Sequence, residues 1–344
     1  MGQIVGAPRA GLAALLARLA GTLAGTLMVA VGAPCAFAQA PKPQDLKIWR
    51  QAMIAPKADA GFFLMAARRG FAEQEGLKIE VTEVKDDQVG MRALISGQVD
   101  SFDSATGGVV ATARGADVKF VGCSWLAVPY VVLARSGIAR MEALKGKTIA
   151  ASAPGTPPDI VARASLAAAK VPDQDIKFAA IGGDRDRYNA LLGGIVDAAV
   201  VANEYTPMPS SKSLNLLVEA RQVLPQWVRF CTLMNNQALG LRREAAVRFM
   251  SAQIKAFRYA VAHRAETIRL TQEATDAVPD DPRPAYVFDE AVKPGVVAAD
   301  FPLPTASLAW MSDKLVELGQ IPKTDIGKAI DPELRMQALE RIGK

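Results

Sequence analysis

The chain has 344 residues, half of them hydrophobic and 22% charged, with a formal net charge of +5. That balance describes a globular body with room for one large domain or two medium ones, and it excludes a disordered chain or a polytopic membrane protein. The charge is too mild for a nucleic-acid binder, and no basic run with interleaved aromatics occurs.

The N-terminus reads as a targeting segment. Arg9 and Arg18 precede an uncharged stretch from Leu19 to Val31, and Ala36-Phe37-Ala38 supplies the small-x-small pattern that signal peptidase cuts. Residues 1–38 are therefore expected to be a signal peptide cleaved after Ala38, releasing the mature chain into the periplasm. The leader holds no acid, so its loss removes two positive charges and leaves the mature chain near +3. The apolar run is shorter than the ~20 residues of a bilayer span, and a retained anchor is the alternative. Arg9 and Arg18 are not adjacent, against the twin-arginine route, and Pro34 before Cys35 disfavours lipoprotein processing. Two cysteines then remain, Cys123 and Cys231. An oxidising compartment permits them to pair; two small buried hydrophobes are the other reading.

From Leu46 onward the pattern is strand, loop, helix, repeated. Lys47-Ile48-Trp49 opens a strand, and Gly61 to Arg69 reads as a helix stopped at Gly70. Leu77, Ile79 and Val81 alternate with Lys78, Glu80 and Thr82, the pattern of a half-buried strand. A short helix from Met91 to Ile95 stops at Gly97, and strands are expected at Val99–Phe102, Val118–Gly122, Tyr130–Ala134 and Thr148–Ala151. A Gly/Pro loop then leads into a helix ending at Lys170. Ile176–Ile181, a helix Tyr188–Leu192 and a strand Val196–Val201 follow. Alternating strands and helices imply parallel sheets covered on both faces.

One internal echo suggests two lobes of similar build. Ala93-Leu94-Ile95-Ser96-Gly97-Gln98-Val99-Asp100 resembles Ala190-Leu191-Leu192-Gly193-Gly194-Ile195-Val196-Asp197, each ending a helix on glycine and placing Val-Asp at a strand entrance. In the tail, Ala246, Phe249, Ile254, Phe257 and Val261 lie at helical spacing, with further helix near 267–274 and 305–318. Pro279 to Pro284 reads as a surface connection.

With these elements in place the chain resembles the nitrate/sulfonate/taurine-type periplasmic substrate-binding proteins of ABC transporters, within the thiamine-precursor-binding-like superfamily. The resemblance rests on Gly61-Phe62-Phe63 through Glu75-Gly76-Leu77, on Gly97-Gln98-Val99-Asp100 and Leu144-Lys145-Gly146-Lys147-Thr148-Ile149, and on Pro154-Gly155-Thr156 and Val196-Asp197-Ala198-Ala199-Val200 in that order. It implies a two-lobed α/β fold of the type II class, each lobe a mostly parallel sheet flanked by helices, with an extra helical C-terminal part packed on lobe one. Residues 45–127 would begin lobe one, 128–230 form lobe two, and 231–344 return to lobe one and add the C-terminal helices. The implied function is capture of a small polar or anionic organic solute by lobe closure. The solute would be a sulfonate, nitrate, an aromatic carboxylate or a thiamine precursor. It would be delivered to a separate permease and its ATPase by a monomer. A ligand-sensing partner of a membrane receptor is an alternative. A thiamine-pyrimidine synthase-like enzyme is another, although the cysteine-rich metal motif of those enzymes is absent.

Several residues follow as cleft candidates. Gly155 relieves a turn, Thr156 is placed to cap a helix begun by Pro157, and such an N-terminus suits an anion. Asp159 stands where a capping box with Thr156 would place it, and also where it would oppose an anion. The echo gives strand ends at Ser104, Ala105 and Thr106 and at Ala202, Asn203 and Glu204, which the resemblance turns toward the cleft. Ser104, Thr106, Asn203 and Glu204 are therefore candidate hydrogen-bonding groups. Asp59 and Phe62 correspond to another ligand loop; Trp125 and Tyr130 flank the first crossover, placed either to supply an aromatic wall or to pack the hinge, and Arg185, in the loop before the Tyr188 helix, either reaches a carboxylate or stays solvated. No catalytic residue, metal site or cofactor is expected. His263, the lone histidine, reads as a surface residue, and no Gly-x-Ser-x-Gly elbow or Walker loop is present.

Overall fold

Strand alternation sets the first layer, in a computed structural model that describes residues 47–343. The expected leader and its cleavage point lie outside those residues. β1 (Lys47–Ile54) and β2 (Leu77–Val84) pair in parallel from Lys47 opposite Leu77 to Ile54 opposite Val84. In β2, Leu77 and Ile79 are buried while Lys78 and Glu80 are exposed, the period of two that a strand with one covered face requires. Between them run α1 (Ala60–Arg68) and α2 (Phe71–Gln74), separated by Gly70, whose φ of 80° is open to glycine at little cost. Then come α3 (Asp87–Ile95), β3 (Ser101–Asp103), α4 (Ala105–Ala113) and β4 (Val118–Trp125).

The chain next enters a second sheet through β5 (Tyr130–Arg135). It continues with β6 (Thr148–Ala151), α5 (Pro157–Ala168), β7 (Lys177–Ala180) and α6 (Asp184–Leu192). β8 (Ala198–Ala202), β9 (Leu214–Glu219) and α7 (Ala220–Val223) precede the return through β10 (Phe230–Asn235). The first sheet has the order β2-β1-β3-β10-β4 and the second β7-β6-β8-β5-β9. These are one permutation written twice. In each, a single strand runs against the rest, β10 in the first sheet and β5 in the second. That reversed strand is the one by which the chain arrives from the other lobe. The result is the two-lobed fold, with two mixed sheets in which four of the five strands run one way, joined by two crossing segments.

The echo has the same structural meaning in both lobes. α3 and α6 end at Gly97 and Gly194, both at positive φ. The Asp100 N–H donates to the Arg50 carbonyl (2.7 Å), and the Arg50 N–H donates back to the Asp100 carboxylate (2.8 Å). Asp197 and Thr148 exchange the same two bonds, each at 2.9 Å. The strands begin after these aspartates rather than at Val99 and Val196. The two valine N–H groups bond back to the helix, at Ala93 and Ala190, and so still belong to the turn.

The tail comprises α8 (Asn236–Leu241), α9 (Arg243–Ala262), α10 (Arg264–Thr275), α11 (Arg283–Val292), α12 (Thr305–Glu317) and α13 (Pro332–Arg341). α9 carries the expected apolar stripe against the first lobe, where Phe249 stacks on Trp49 at 5.0 Å and Phe257 lies 6.0 Å from Phe62. Each such buried ring contributes roughly 1.5–3 kcal/mol. α11 reaches further and touches the second lobe at Asn203–Tyr205, and Pro284, expected in a surface connection, lies within its first turn. His263 is exposed at the end of α9, stacked on Tyr259 at 3.7 Å. Cys123 and Cys231 stand opposite each other on β4 and β10 and form a disulfide.

Candidate ligand-binding cleft

Loops at the carboxyl ends of β1, β2, β3, β6 and β7 converge on a cavity of about 230 Å³, with walls from both lobes. Crevices at that end of open α/β sheets are where ligands bind. Phe63, Tyr130, Phe230, Pro157 and Pro158 give it apolar walls. Its polar groups include Lys57 and Asp59 after β1, Lys85, Asp86 and Asp87 after β2, Asp103 and Ser104 at the end of β3, Asp184 and Arg187 on α6, and Arg229 on the return crossing.

Two contacts tie the lobes across this cleft. The Lys57 ammonium donates to Asp184 at 2.7 Å, and the Ala58 N–H donates to the Glu204 carboxylate at 3.2 Å. Burial opposes the charge on Lys57, but Asp184 and then Tyr130 outweigh it and hold the amine above its ordinary range. Asp184 is likewise penalised by burial, yet Lys57 and Arg187 keep its carboxyl below the usual value. Arg187 is almost fully buried, and its guanidinium donates to Asp184 (2.5 Å), to the Val200 carbonyl (2.6 Å) and to the Ile181 and Gly182 carbonyls. Burial, with Asp59 nearby, pushes Glu204 upward.

On the first lobe Arg229 pairs with Asp59 at 2.5 Å and lies over the rings of Phe230 (4.3 Å) and Trp125 (5.3 Å). Asp103 accepts from Gln51 (3.0 Å) and Thr232 (2.6 Å), both neutral donors, and burial raises its carboxyl despite them. Asp87 is pushed up to about 6 by burial, which a bond from the Ser104 hydroxyl only partly offsets. Ser104 also caps α4 by accepting the Gly107 N–H, and Thr106 accepts from the Trp227 indole at 3.1 Å.

Of the residues expected from sequence, Asp59, Ser104, Thr106, Tyr130 and Thr156 line this cavity. Arg185 and Glu204 line an adjoining one on the other side of Lys57 and Asp184, while Trp125 and Asn203 line a small pocket behind the crossing segments. Phe62 is not a cleft residue. It is buried in the lobe-one core, stacked on Phe288 at 5.5 Å, and its neighbour Phe63 faces the cavity instead. Arg185 sits inside the first turn of α6 rather than in a loop before it, because the helix starts at Asp184.

The anion site expected at Thr156 also changes character. The Thr156 hydroxyl donates to the Ala153 carbonyl (2.6 Å) instead of capping the helix, so no capping box forms. Asp159 accepts from the Gly155 N–H (2.9 Å) and pairs with Arg163 (3.1 Å), and Gly155, at φ 78°, serves the turn. Pro157 and Pro158 remove the two N–H groups that an anion would use first.

Lys57, Asp87, Asp103, Asp184, Arg187 and Arg229 were not foreseen. A signal for two of them exists in the echo. Extended back to the start of each nine-residue helix, it aligns Asp87 with Asp184, the first residues of α3 and α6.

The profile of the NMT1/THI5-like family matches residues 57–267. A search of curated proteins gives no significant match. Among solved structures, the periplasmic nitrate-binding protein of Synechocystis PCC 6803 is similar with a TM-score of 0.71 at 12% identity, covering 87% of this chain and 90% of that one. The periplasmic aliphatic sulphonate-binding protein of Escherichia coli gives 0.67 at 17% identity, covering 83% and 92%. A Candida albicans protein described as having the generic periplasmic binding protein fold gives 0.65 at 15%, covering 86% and 95%. The solved structures share the fold, and the matched span, more than half of the chain, gives the assignment: this chain belongs to the NMT1/THI5-like family.

Proposed function

We propose that the chain is the solute-binding component of an ABC-type import system, working in the periplasm by closing two lobes over a small organic molecule. The observation that carries this reading is the cleft. Two sheets of identical strand order meet at a cavity whose walls come from both, and the lobes touch across it through Lys57–Asp184 and Ala58–Glu204. A site shared by two lobes couples binding to closure, because the ligand gains contacts in the closed form that the open form lacks. Similar solved structures that bind nitrate and sulphonate on the same fold support the class of function. Release of closed, loaded protein to a permease and its ATPase follows from that class.

The test has two parts. N-terminal sequencing of a periplasmic extract should find the mature chain starting at Gln39, and deletion of the gene should abolish uptake of one solute that an adjacent permease carries. Recovery of the full-length chain in the cytosol, with no uptake defect, refutes the reading.

A further inference from the structure

We propose that the cleft takes an organic solute with a protonated nitrogen head, seated between the Asp87 and Asp103 carboxylates of the first lobe. The inference rests on the solute-binding reading and deepens it.

Three of the four cations lining the cavity are already committed. Lys57 lies on Asp184, Arg229 on Asp59, and Arg187 on Asp184 and three backbone carbonyls. Among the described residues lining it, Lys85 has no ion pair, and it is exposed. An anion would therefore find only the exposed Lys85 as a free counter-charge, and a buried one would require breaking a pair, which leaves the displaced carboxylate unpaired at a cost of several kcal/mol.

The helix ends give the same answer. The N-termini of α1, α3, α5 and α6, which would favour an anion, each carry the chain's own carboxylate: Asp59, Asp86 and Asp87, Asp159, and Asp184. α5 also opens on two prolines, and α4 on the Ser104 cap.

The acids are not so committed. Asp87 and Asp103 flank Ser104, line the cavity and have no cationic partner among the described residues, only neutral donors. Their unused lone pairs match an ammonium, amidinium or guanidinium group. The repeat within the fold supplies a precedent. Asp184, the counterpart of Asp87 in the second lobe, already holds an ammonium, that of Lys57. Phe63 and Tyr130 line the same space and offer aromatic surface to a cation, and Phe230 already carries one in Arg229. At about 230 Å³ the cavity suits a small solute.

Isothermal calorimetry on the mature chain at neutral pH tests this with benzamidine and agmatine as cationic probes and ethanesulfonate and nitrate as anionic ones. The cationic probes are expected to bind, and Asp103→Asn and Asp87→Asn each to weaken them by at least about tenfold. Asparagine keeps the shape, though at position 103 it offers one acceptor oxygen where the aspartate accepts from both Gln51 and Thr232, and thermal unfolding checks that each variant folds. If one variant fails to fold, the other carries the comparison. Binding of the anions with no response to the cations overturns the proposal and leaves the solute-binding reading standing. Binding of neither class overturns it too, while the uptake experiment decides that reading separately.

Discussion

Replacing Lys57 by methionine separates the contribution of the cross-lobe ion pair from that of the cleft walls. The ammonium and the Asp184 carboxylate are 2.7 Å apart. At an effective dielectric of about 20 their gross attraction is roughly 6 kcal/mol. Most of that is offset by lost hydration, and 34% of the Lys57 side chain remains accessible, so the lower end of the range for a charged hydrogen bond applies. About 1.5 kcal/mol remains, a roughly tenfold fall in the closed-to-open ratio. Asp184 keeps Arg187 in the variant, so no buried charge is orphaned and the lobes stay folded. Spin labels at the exposed Ile95 and Ile195, one on each echo turn, report the inter-lobe distance. The variant should gain a longer-distance population, and high salt should shift the parent protein the same way. Identical distance distributions in parent and variant would falsify the latch.

Asp184→Asn should be worse than Lys57→Met, because it leaves Lys57 and Arg187 both without a carboxylate; a loss of about 3–5 kcal/mol in chemical denaturation is expected. Asp87, raised by burial from 3.8 to about 6, binds more protons in the folded than in the unfolded chain between those values. The parent should therefore lose stability relative to Asp87→Asn as pH rises from about 4 to about 6, with a constant gap above; a gap independent of pH refutes the burial argument. Phe62→Ala should cost about 3–5 kcal/mol as a core deletion and leave the order of ligand preference unchanged. Reducing the disulfide, whose cysteines are 108 residues apart, should lower stability by up to about 4.7 kcal/mol, read as a shift in denaturation midpoint.

The two-lobed plan was legible because period-two strands and glycine-stopped helices are local signals, and the echo repeats them. Side-chain direction was less so. Phe62 and Phe63 are adjacent and chemically identical, and only the packing of α9 and α11 decides that Phe62 turns into the core. Arg185 and Arg187 are two residues apart, so an α-helix points them about 200° apart. Arg187 goes inward to the carbonyls of its own lobe and Arg185 to the adjoining cavity. The partners of Asp103 come from β1 and β10, far away in sequence, and no local pattern announces such a meeting. The cysteines were left open between two readings for the same reason: β4 and β10 become neighbours only after the chain has crossed between lobes and returned.

The bond between those cysteines also gives folding a direction in time. It joins the strand by which the chain leaves lobe one to the strand by which it comes back, so the two connectors share a single root. Such a bond needs an oxidising environment. Under the export proposed above, the chain would be untied while it is threaded through a pore and tied only once it has passed. The disulfide would then act as a ratchet tooth as well as a brace.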